Sequence, residues 1–551
     1  MNASQLFVRC LENEGVRFIF GIPGEETLDL LDALADSDQI RFVTTRHEQG
    51  AAFMANVYGR LSTYPGVCLA TLGPGATNLI TGVADAQLDR APVVAITGQA
   101  ALTRVFKESH QYLDVLRLFA PVTKWNARVE VPETVPEIVR KAFRLARLEK
   151  PGATHIELPE DVAAAAVEAE PMPVRRTTYP AARPESITRA AEVLRAASRP
   201  VILAGNGVIR RQAAAALTDF VHQLRIPTAT TFMGKGAIDA RDPLALPPMG
   251  LRDTSSGADP FAEADLVVAV GYDLVEWPPA VWNSGRQKAI LHIDSSAAEV
   301  DRFYLPAAEV VGEIADNLRA LASAAGELPA TRSSPLPVRS GEDELRRFGA
   351  DDSFPLKPQR IVHDLRQALG DEDILISDVG VHKLWLATRY PATRPNTVVI
   401  ANGLASMGIA VPGAVAAKLV RPEHKVVAVT GDGGFLMNSQ ELETAKRLGT
   451  AFVTVVLVDN RYGVIALNQQ QRFGRTFGVA FGNPDLPAYA ASFGLPGFSV
   501  RSAGEFLPVL RRALTLAEPS VIAVPVDSSE LPRALVDDPA AVGLQGRGNT
   551  A

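Results

Sequence analysis

The sequence predicts an α/β protein of three doubly wound parallel-sheet domains in series. Three observations carry this: continuous β-branched runs of strand length, amphipathic stretches of helix length between them, and two polar, proline-rich connections that divide the 551 residues into units of ordinary domain size. Continuous runs are what strands buried on both faces require; a half-solvated strand would alternate with a period of two.

The first unit, 1–165, moves from its first residues into helical periodicity and then shows apolar runs at 16–20, 42–44, 67–70, 93–96 and 155–158. A connection at 168–184 with Pro171, Pro173 and Pro184 follows. The middle unit, 185–325, has runs at 200–203, 266–270 and 289–293. A second connection at 327–342 carries Pro329, Pro335 and Pro337. The last unit, 355–530, offers runs at 374–377, 398–400, 426–430, 453–458 and 521–524, and residues 537–551 read as a frayed tail. In open parallel sheets ligands sit beyond the carboxyl ends of the strands, so the loops after these runs are where function is expected.

Composition narrows the classes. Apolar residues are 47% and charged residues 21%, the balance of a globular chain and not of a disordered or fibrous one. Lys and Arg number 55 against 62 Asp and Glu, a net charge of -7 with no basic block, which argues against nucleic acid or an anionic membrane as main partner. Cys10 and Cys68 are too few for a disulfide framework or a four-thiolate zinc site and point to the reducing cytoplasm. The N-terminus shows no basic-then-apolar leader, and no apolar run reaches the ~20 residues of a membrane span.

In the last unit the run at 426–430 is followed by Gly431-Asp432-Gly433-Gly434-Phe435 and a helix-like stretch at 438–448. The run at 453–458 is followed by Asp459-Asn460-Arg461-Tyr462-Gly463. Asp432 and Asp459 stand 27 positions apart with one helix and one strand between them. In a right-handed βαβ unit both would lie at one sheet edge and could share a cation. Two hard oxygen donors, small glycines and a helix N-terminus suit Mg²⁺ carrying a diphosphate. Taken alone, Gly-Asp-Gly reads as a tight turn, since such tripeptides are common after strands. Asp378-Val379-Gly380-Val381-His382 and Asn402-Gly403-Leu404-Ala405-Ser406-Met407-Gly408 add two more glycine-bearing loops, so the ligand should be extended. Met407 by itself would read as a core methionine.

In the first unit Thr45-Arg46-His47-Glu48-Gln49 opens a helix, placing Glu48 in the turn where the helix dipole favours a carboxylate. On charge alone it would be a solvated residue, yet its neighbours Ala51, Ala52, Phe53 and Ala55 are small and apolar. Gly21-Ile22-Pro23-Gly24, Leu72-Gly73-Pro74-Gly75-Ala76-Thr77-Asn78 and Glu108-Ser109-His110-Gln111-Tyr112 are the other landmarks.

In this order and over most of the chain, these segments resemble thiamine diphosphate (ThDP) enzymes of the acetolactate synthase, pyruvate oxidase and pyruvate decarboxylase group. The resemblance implies that Mg²⁺ is held by Asp432, Asp459 and the backbone carbonyl of Arg461; a one-residue slip would substitute Asn460 for Asp459. It implies cofactor contacts from Gly24, Glu48, Pro74 and Asn78 in the first unit. The last unit would contribute Gly380, Val381, His382, Ala405, Met407, Asp432, Gly433, Gly434, Asp459 and Tyr462, with Met407 as the wedge beneath the bent cofactor. Glu48 would be catalytic, hydrogen-bonded to N1′ of the aminopyrimidine. Gln111 would contact the substrate, and His110 would be either a proton relay or a solvated loop residue.

The middle unit indicates the branch. Biosynthetic acetolactate synthases hold FAD with an Arg-Phe-Asp-Asp-Arg run, where this chain has Gly271-Tyr272-Asp273-Leu274-Val275-Glu276-Trp277. It therefore resembles the FAD-independent, catabolic enzymes, and Ala204-Gly205-Asn206-Gly207-Val208 reads as a vestigial turn. Asn468 stands where the biosynthetic enzymes carry a Trp selecting 2-oxobutyrate, so pyruvate is the implied acceptor. Residues 471–482 would cover the site. The implied activity is decarboxylation of a 2-oxo acid, pyruvate above all, and ligation to a second to give acetolactate. Alternatives are another ThDP-dependent 2-oxo acid decarboxylase or carboligase, and a non-catalytic ThDP-binding subunit, against which the presence of Glu48 speaks. A nicotinamide oxidoreductase lacks its Gly-x-Gly-x-x-Gly fingerprint here. The family also implies a homodimer or homotetramer with each site shared between two chains.

Overall fold

Val-Thr-Val-Val-Leu-Val at Val453–Val458 and Val-Val-Ala-Val-Thr-Gly at Val426–Gly431 show why these segments are strands: restricted χ1 and flat packing favour the pleated surface. The computed structural model describes residues 1–530 except 63, 176, 249–259 and 329–340. The tail at 537–551 and most of the second connection lie outside the described residues.

Three sheets are present among the described residues, all their strand pairs parallel. The first contains β1 (Phe18–Gly21), β2 (Arg41–Thr44), β3 (Gly66–Ala70), β4 (Val93–Gln99), β5 (Trp125–Arg128) and β6 (Ala153–Pro159), ordered β2-β1-β3-β4-β6-β5. The central sheet contains β7 (Pro200–Ala204), β8 (Thr228–Thr230), β9 (Leu266–Val270), β10 (Ala289–Asp294) and β11 (Ala308–Val311), ordered β11-β10-β9-β7-β8. The third contains β12 (Ile374–Ser377), β13 (Val398–Ile400), β14 (Val426–Gly431), β15 (Val453–Val458), β16 (Gly497–Ser499) and β17 (Ser520–Pro525), ordered β13-β12-β14-β15-β17-β16. The fold class expected from the sequence is the one observed.

Four strands were absent from the expected runs: β5, β8, β11 and β16. All four are sheet edges. An edge strand buries less surface and can be short and polar, so Trp-Asn-Ala-Arg or Gly-Phe-Ser gives no apolar run. The expected helix at 438–448 is also corrected. A helix begins at Asp432 itself (Asp432–Asn438), and a second runs Glu441–Leu448 after a break at Ser439 and Gln440. Two glycines in the first turn hid the earlier helix.

The first and third domains share one apolar core, whereas the central domain has its own. Helix Glu48–Ser62 packs between helix Gly73–Leu88 and helix Ala410–Val420. Small residues make this close approach possible: a Cβ on Gly82 would lie 2.4 Å from that of Ala52, and one on Gly413 2.9 Å from Val57 Cγ2. Twelve of the fifteen residues of helix Glu48–Ser62 are buried, which fixes the carboxylate at its start. Among the described residues no helix is long and apolar enough to cross a membrane.

Candidate active site

β14 and β15 are adjacent, with Gly431 paired to Leu457, so the loops carrying Asp432 and Asp459 leave the sheet side by side. Asp432 Oδ2 accepts from the backbone N–H groups of Asp459 (3.2 Å) and Asn460 (2.8 Å) and from Asn483 Nδ2 (2.7 Å). Burial raises its pKa against these bonds. Asp459 Oδ2 accepts from the Ser528 hydroxyl and from Arg461 Nε at 3.3 Å. Asn460 sits at φ 57° with Oδ1 bonded to Asn483 Nδ2 at 2.8 Å.

These loops enclose a cavity of about 320 Å³. Eleven of the expected residues line it: Gly380, Val381, His382, Ala405, Met407, Asp432, Gly433, Gly434, Asp459, Arg461 and Tyr462. Asp459 is among them and Asn460 is not. The two glycines leave no room for side chains: a Cβ on Gly433 would stand 2.8 Å from the Tyr462 ring, and one on Gly434 3.0 Å from the Thr430 hydroxyl. His382 is buried with Nε2 unpartnered, and burial pushes its pKa down to about 4, leaving a neutral ring at pH 7. Lys383, which the sequence reading missed, also lines the cavity, and burial lowers its amine to about 8. Among the described residues no three His, Cys, Asp or Glu side chains converge on a metal-sized point. A cation held by two aspartates and a carbonyl requires no such trio.

The loop bearing Met407 is clamped from two domains. Asp378, at the end of β12, accepts from the N–H groups of Gly408 (2.9 Å) and Ala410 (3.2 Å). From the first domain, Asp85 accepts from Ser406 N at 3.1 Å and Asp89 from Gly403 N at 2.6 Å. Burial, and then the neighbouring Asp89, hold the Asp85 carboxyl well above its usual range. Ala405 within this loop is left-handed at φ 55°, a conformation that costs a non-glycine residue and recurs at functional sites. None of these clamping carboxylates was assigned a role from sequence, although Asp378 lay within a quoted motif.

The first-domain residues gather at the carboxyl edge of their own sheet. Glu48 is 8% exposed, and its Oε2 accepts from Asn78 Nδ2 at 2.9 Å. Asn78 and Pro74 belong to the first turns of helix Gly73–Leu88, and a Cβ on Gly75 would lie 3.3 Å from Glu48 Oε1. Gly24 is pressed on Thr71, whose hydroxyl donates to Glu26 at 2.8 Å. Gln111 is left-handed (φ 57°), and its carbonyl would meet a Cβ on Gly73 at 2.5 Å, which sets it against the same loop. His110 is exposed and, among the described residues, its ring has no hydrogen bond.

Glu441, also missed, reaches across from the third domain. Its carboxylate accepts from the backbone N–H groups of Arg46 (3.0 Å) and His47 (3.1 Å), just ahead of Glu48. Burial raises its pKa to about 7. The Glu48 cluster contributes nothing to the lining of the third-domain cavity, so one chain holds the two halves apart.

Comparison with known proteins accords with this layout. Family models of the thiamine pyrophosphate enzymes match in order: the N-terminal TPP binding domain at residues 1–118, the central domain at 187–321 and the C-terminal TPP binding domain at 378–524. The chain is 37% identical over 539 residues to the catabolic acetolactate synthase of Raoultella terrigena, covering 96% of each. It is 35% identical to the acetolactate synthase of Bacillus subtilis, over 96% of this chain and 93% of that one. The large subunit of acetolactate synthase isozyme 2 of Escherichia coli is 32% identical, with 96% of each covered. The chain belongs to the acetolactate synthase family of thiamine diphosphate enzymes.

Proposed function

We propose that the protein is an acetolactate synthase of the FAD-independent type, which decarboxylates pyruvate and joins the two-carbon fragment to a second pyruvate. The observation that carries this reading is the convergence of eleven motif residues on the cavity beyond β12, β14 and β15. The residues present suit ThDP with Mg²⁺. Asp432, Asp459 and the Arg461 carbonyl offer three hard oxygens beside the cavity that His382 also lines. At Gly433 and Gly434 a Cβ would press on Tyr462 and Thr430, so glycine lets the backbone itself form the cavity wall here.

Bound ThDP would supply a nucleophilic thiazolium carbon and an electron sink for the decarboxylation. The chain places the rest. Glu48, oriented by Asn78, would be the residue that holds a proton for a pyrimidine ring nitrogen. Met407, on its doubly clamped loop, would support the cofactor from beneath. Gln111 and residues 471–482 shape the acceptor side, with His110 available as a proton relay. Because the Glu48 cluster does not reach its own chain's cavity, we assign each complete site to two chains of a homodimer or homotetramer. Exposed Phe106, Met437, Ile465 and Phe477 around the two halves support that assignment.

The absence of a flavin role is supported in the central domain. Glu276, whose pKa burial raises to about 8, accepts from Asn206 N at 3.1 Å, so the chain's own carboxylate occupies the loop after β7. The buried, unpaired thiols of Cys10 and Cys68 fit a reducing cytoplasm.

The test is incubation of the purified protein, ThDP and Mg²⁺ with pyruvate and, separately, with a panel of other 2-oxo acids. Acetolactate from pyruvate, with no flavin absorbance, is expected. Carbon dioxide release without acetolactate, or turnover confined to another 2-oxo acid, would overturn the substrate assignment.

A further inference from the structure

The segment that follows β17 runs along the same cavity wall as the loop bearing Asp459. Backbone bonds carry it there: Val526 N donates to Val458 O at 3.1 Å, Leu356 N to Pro525 O at 3.0 Å and Asp527 N to Leu356 O at 2.9 Å. Side chains pin the next residues. Lys357 Nζ donates to Asp527 Oδ2 at 2.8 Å and to Glu530 Oε1 at 2.9 Å, and Trp385 Nε1 donates to Glu530 O at 3.2 Å. Between these anchors Val526 and Ser528 reach the cavity lining.

There Ser528 meets Asp459. Its hydroxyl donates to Asp459 Oδ2, which also accepts from Arg461 Nε at 3.3 Å. Arg461 Nη2 donates to Ser528 Oγ at 3.4 Å, so three side chains close a ring. Because the guanidinium occupies an acceptor position of Oγ, the single hydroxyl proton is left for the carboxylate. The two donors are unequal in firmness. The Arg461 side chain is 39% exposed, and an ion pair so open to water holds its geometry weakly. Ser528 is 4% exposed and sits on an anchored segment.

The ring takes one oxygen of Asp459 and spares the other. Oδ1 accepts no hydrogen bond among the described residues, while Asp459 lines the cavity. Asp432 is held differently: the backbone N–H of Gly433 serves Oδ1 at 2.9 Å, and those of Asp459 and Asn460 serve Oδ2. The first aspartate is therefore set by its own loops, and the second by a hydroxyl that arrives from 69 residues further along the chain. A carboxylate pinned at one oxygen has its other oxygen fixed in direction, which is what a cation with strict geometry requires.

We propose that Ser528 is a positioning residue for the cation site, holding Asp459 by Oδ2 so that Oδ1 is presented to Mg²⁺. This rests on Asp459 being the second metal ligand, as assigned above.

Fluorescence titration of the chelator-treated full chain tests it, with Mg²⁺ added at saturating ThDP. Ser528→Ala should raise the Mg²⁺ concentration for half-maximal ThDP binding by at least about tenfold, and Ser528→Thr, which keeps the hydroxyl, should stay within about threefold of the wild type. A packing role for Ser528 would weaken binding in any background, whereas action through Asp459 vanishes with that carboxylate. In an Asp459→Ala background, Ser528→Ala should therefore leave ThDP affinity unchanged. An unaltered Mg²⁺ requirement in Ser528→Ala, or a further loss of ThDP affinity in the double variant, would overturn the proposal. Retention of the wild-type Mg²⁺ requirement by Asp459→Ala alone would remove the metal assignment and the proposal with it. None of these readouts depends on acetolactate formation, so the substrate reading stands or falls separately.

Discussion

Asn78 donates from Nδ2 to Glu48 Oε2 at 2.9 Å, joining the first turns of two neighbouring helices thirty residues apart. The bond engages one carboxylate oxygen and leaves the other beside Gly75, where the missing Cβ keeps the approach open. Orientation of the Glu48 carboxyl is thus set by partners within the first domain.

Glu48→Gln preserves shape and replaces the carboxyl group by an amide. It should lower kcat by about 10²- to 10⁴-fold, the usual range for losing a general acid or base, with ThDP affinity nearly unchanged. Steady-state kinetics and cofactor titration on one preparation check both halves; near-normal turnover would remove Glu48 from catalysis. Asn78→Ala should cost less, about tenfold in kcat, because the carboxyl loses the donor that orients it.

Asp432→Ala and Asp459→Ala should each abolish the dependence of ThDP affinity on Mg²⁺, whereas Asn460→Ala should retain it. Fluorescence titration with ThDP, with and without Mg²⁺, separates the three. Loss of metal dependence in the Asn460 variant alone would move the second ligand by one residue.

Glu441 carries a pH signature. Its carboxyl rises from 4.5 to about 7 on folding, so the folded chain holds that proton more tightly than the unfolded one. The resulting stabilisation is complete below pH 4.5 and is lost as the pH climbs through 7. Glu441→Gln cannot titrate. Denaturant melts at pH 5 and pH 8 should show the wild type losing stability relative to this variant by at most roughly 3 kcal/mol. Parallel pH dependence in the two proteins would exclude Glu441 as the source.

Gly66→Ala tests how tightly the Glu48 helix is seated. The new methyl would stand 1.9 Å from the Ala55 carbonyl oxygen, a backbone atom that cannot swing aside. A destabilisation on the order of 3 kcal/mol in denaturant unfolding is expected; a neutral outcome would mean that β3 and the helix are not held at this distance.

The third-domain cavity was legible because each of its loops follows a continuous buried strand, so short local motifs predicted a shared edge. Residues that act across long sequence separations were not legible. Asp85 and Asp89 secure a loop more than three hundred positions away, and Glu441 caps a turn almost four hundred positions before it. Nothing in the spacing of such residues marks them, because the sheet order and the domain packing bring them into place. The edge strands escaped for the opposite reason, since their local sequence is too polar to announce them.

Close seating of helix Glu48–Ser62 against helix Ala410–Val420 has a mechanical corollary. Glu48 and the Gly433–Gly434 loop of one chain belong to domains that share one packed core, and under the proposed assembly they would serve different catalytic centres.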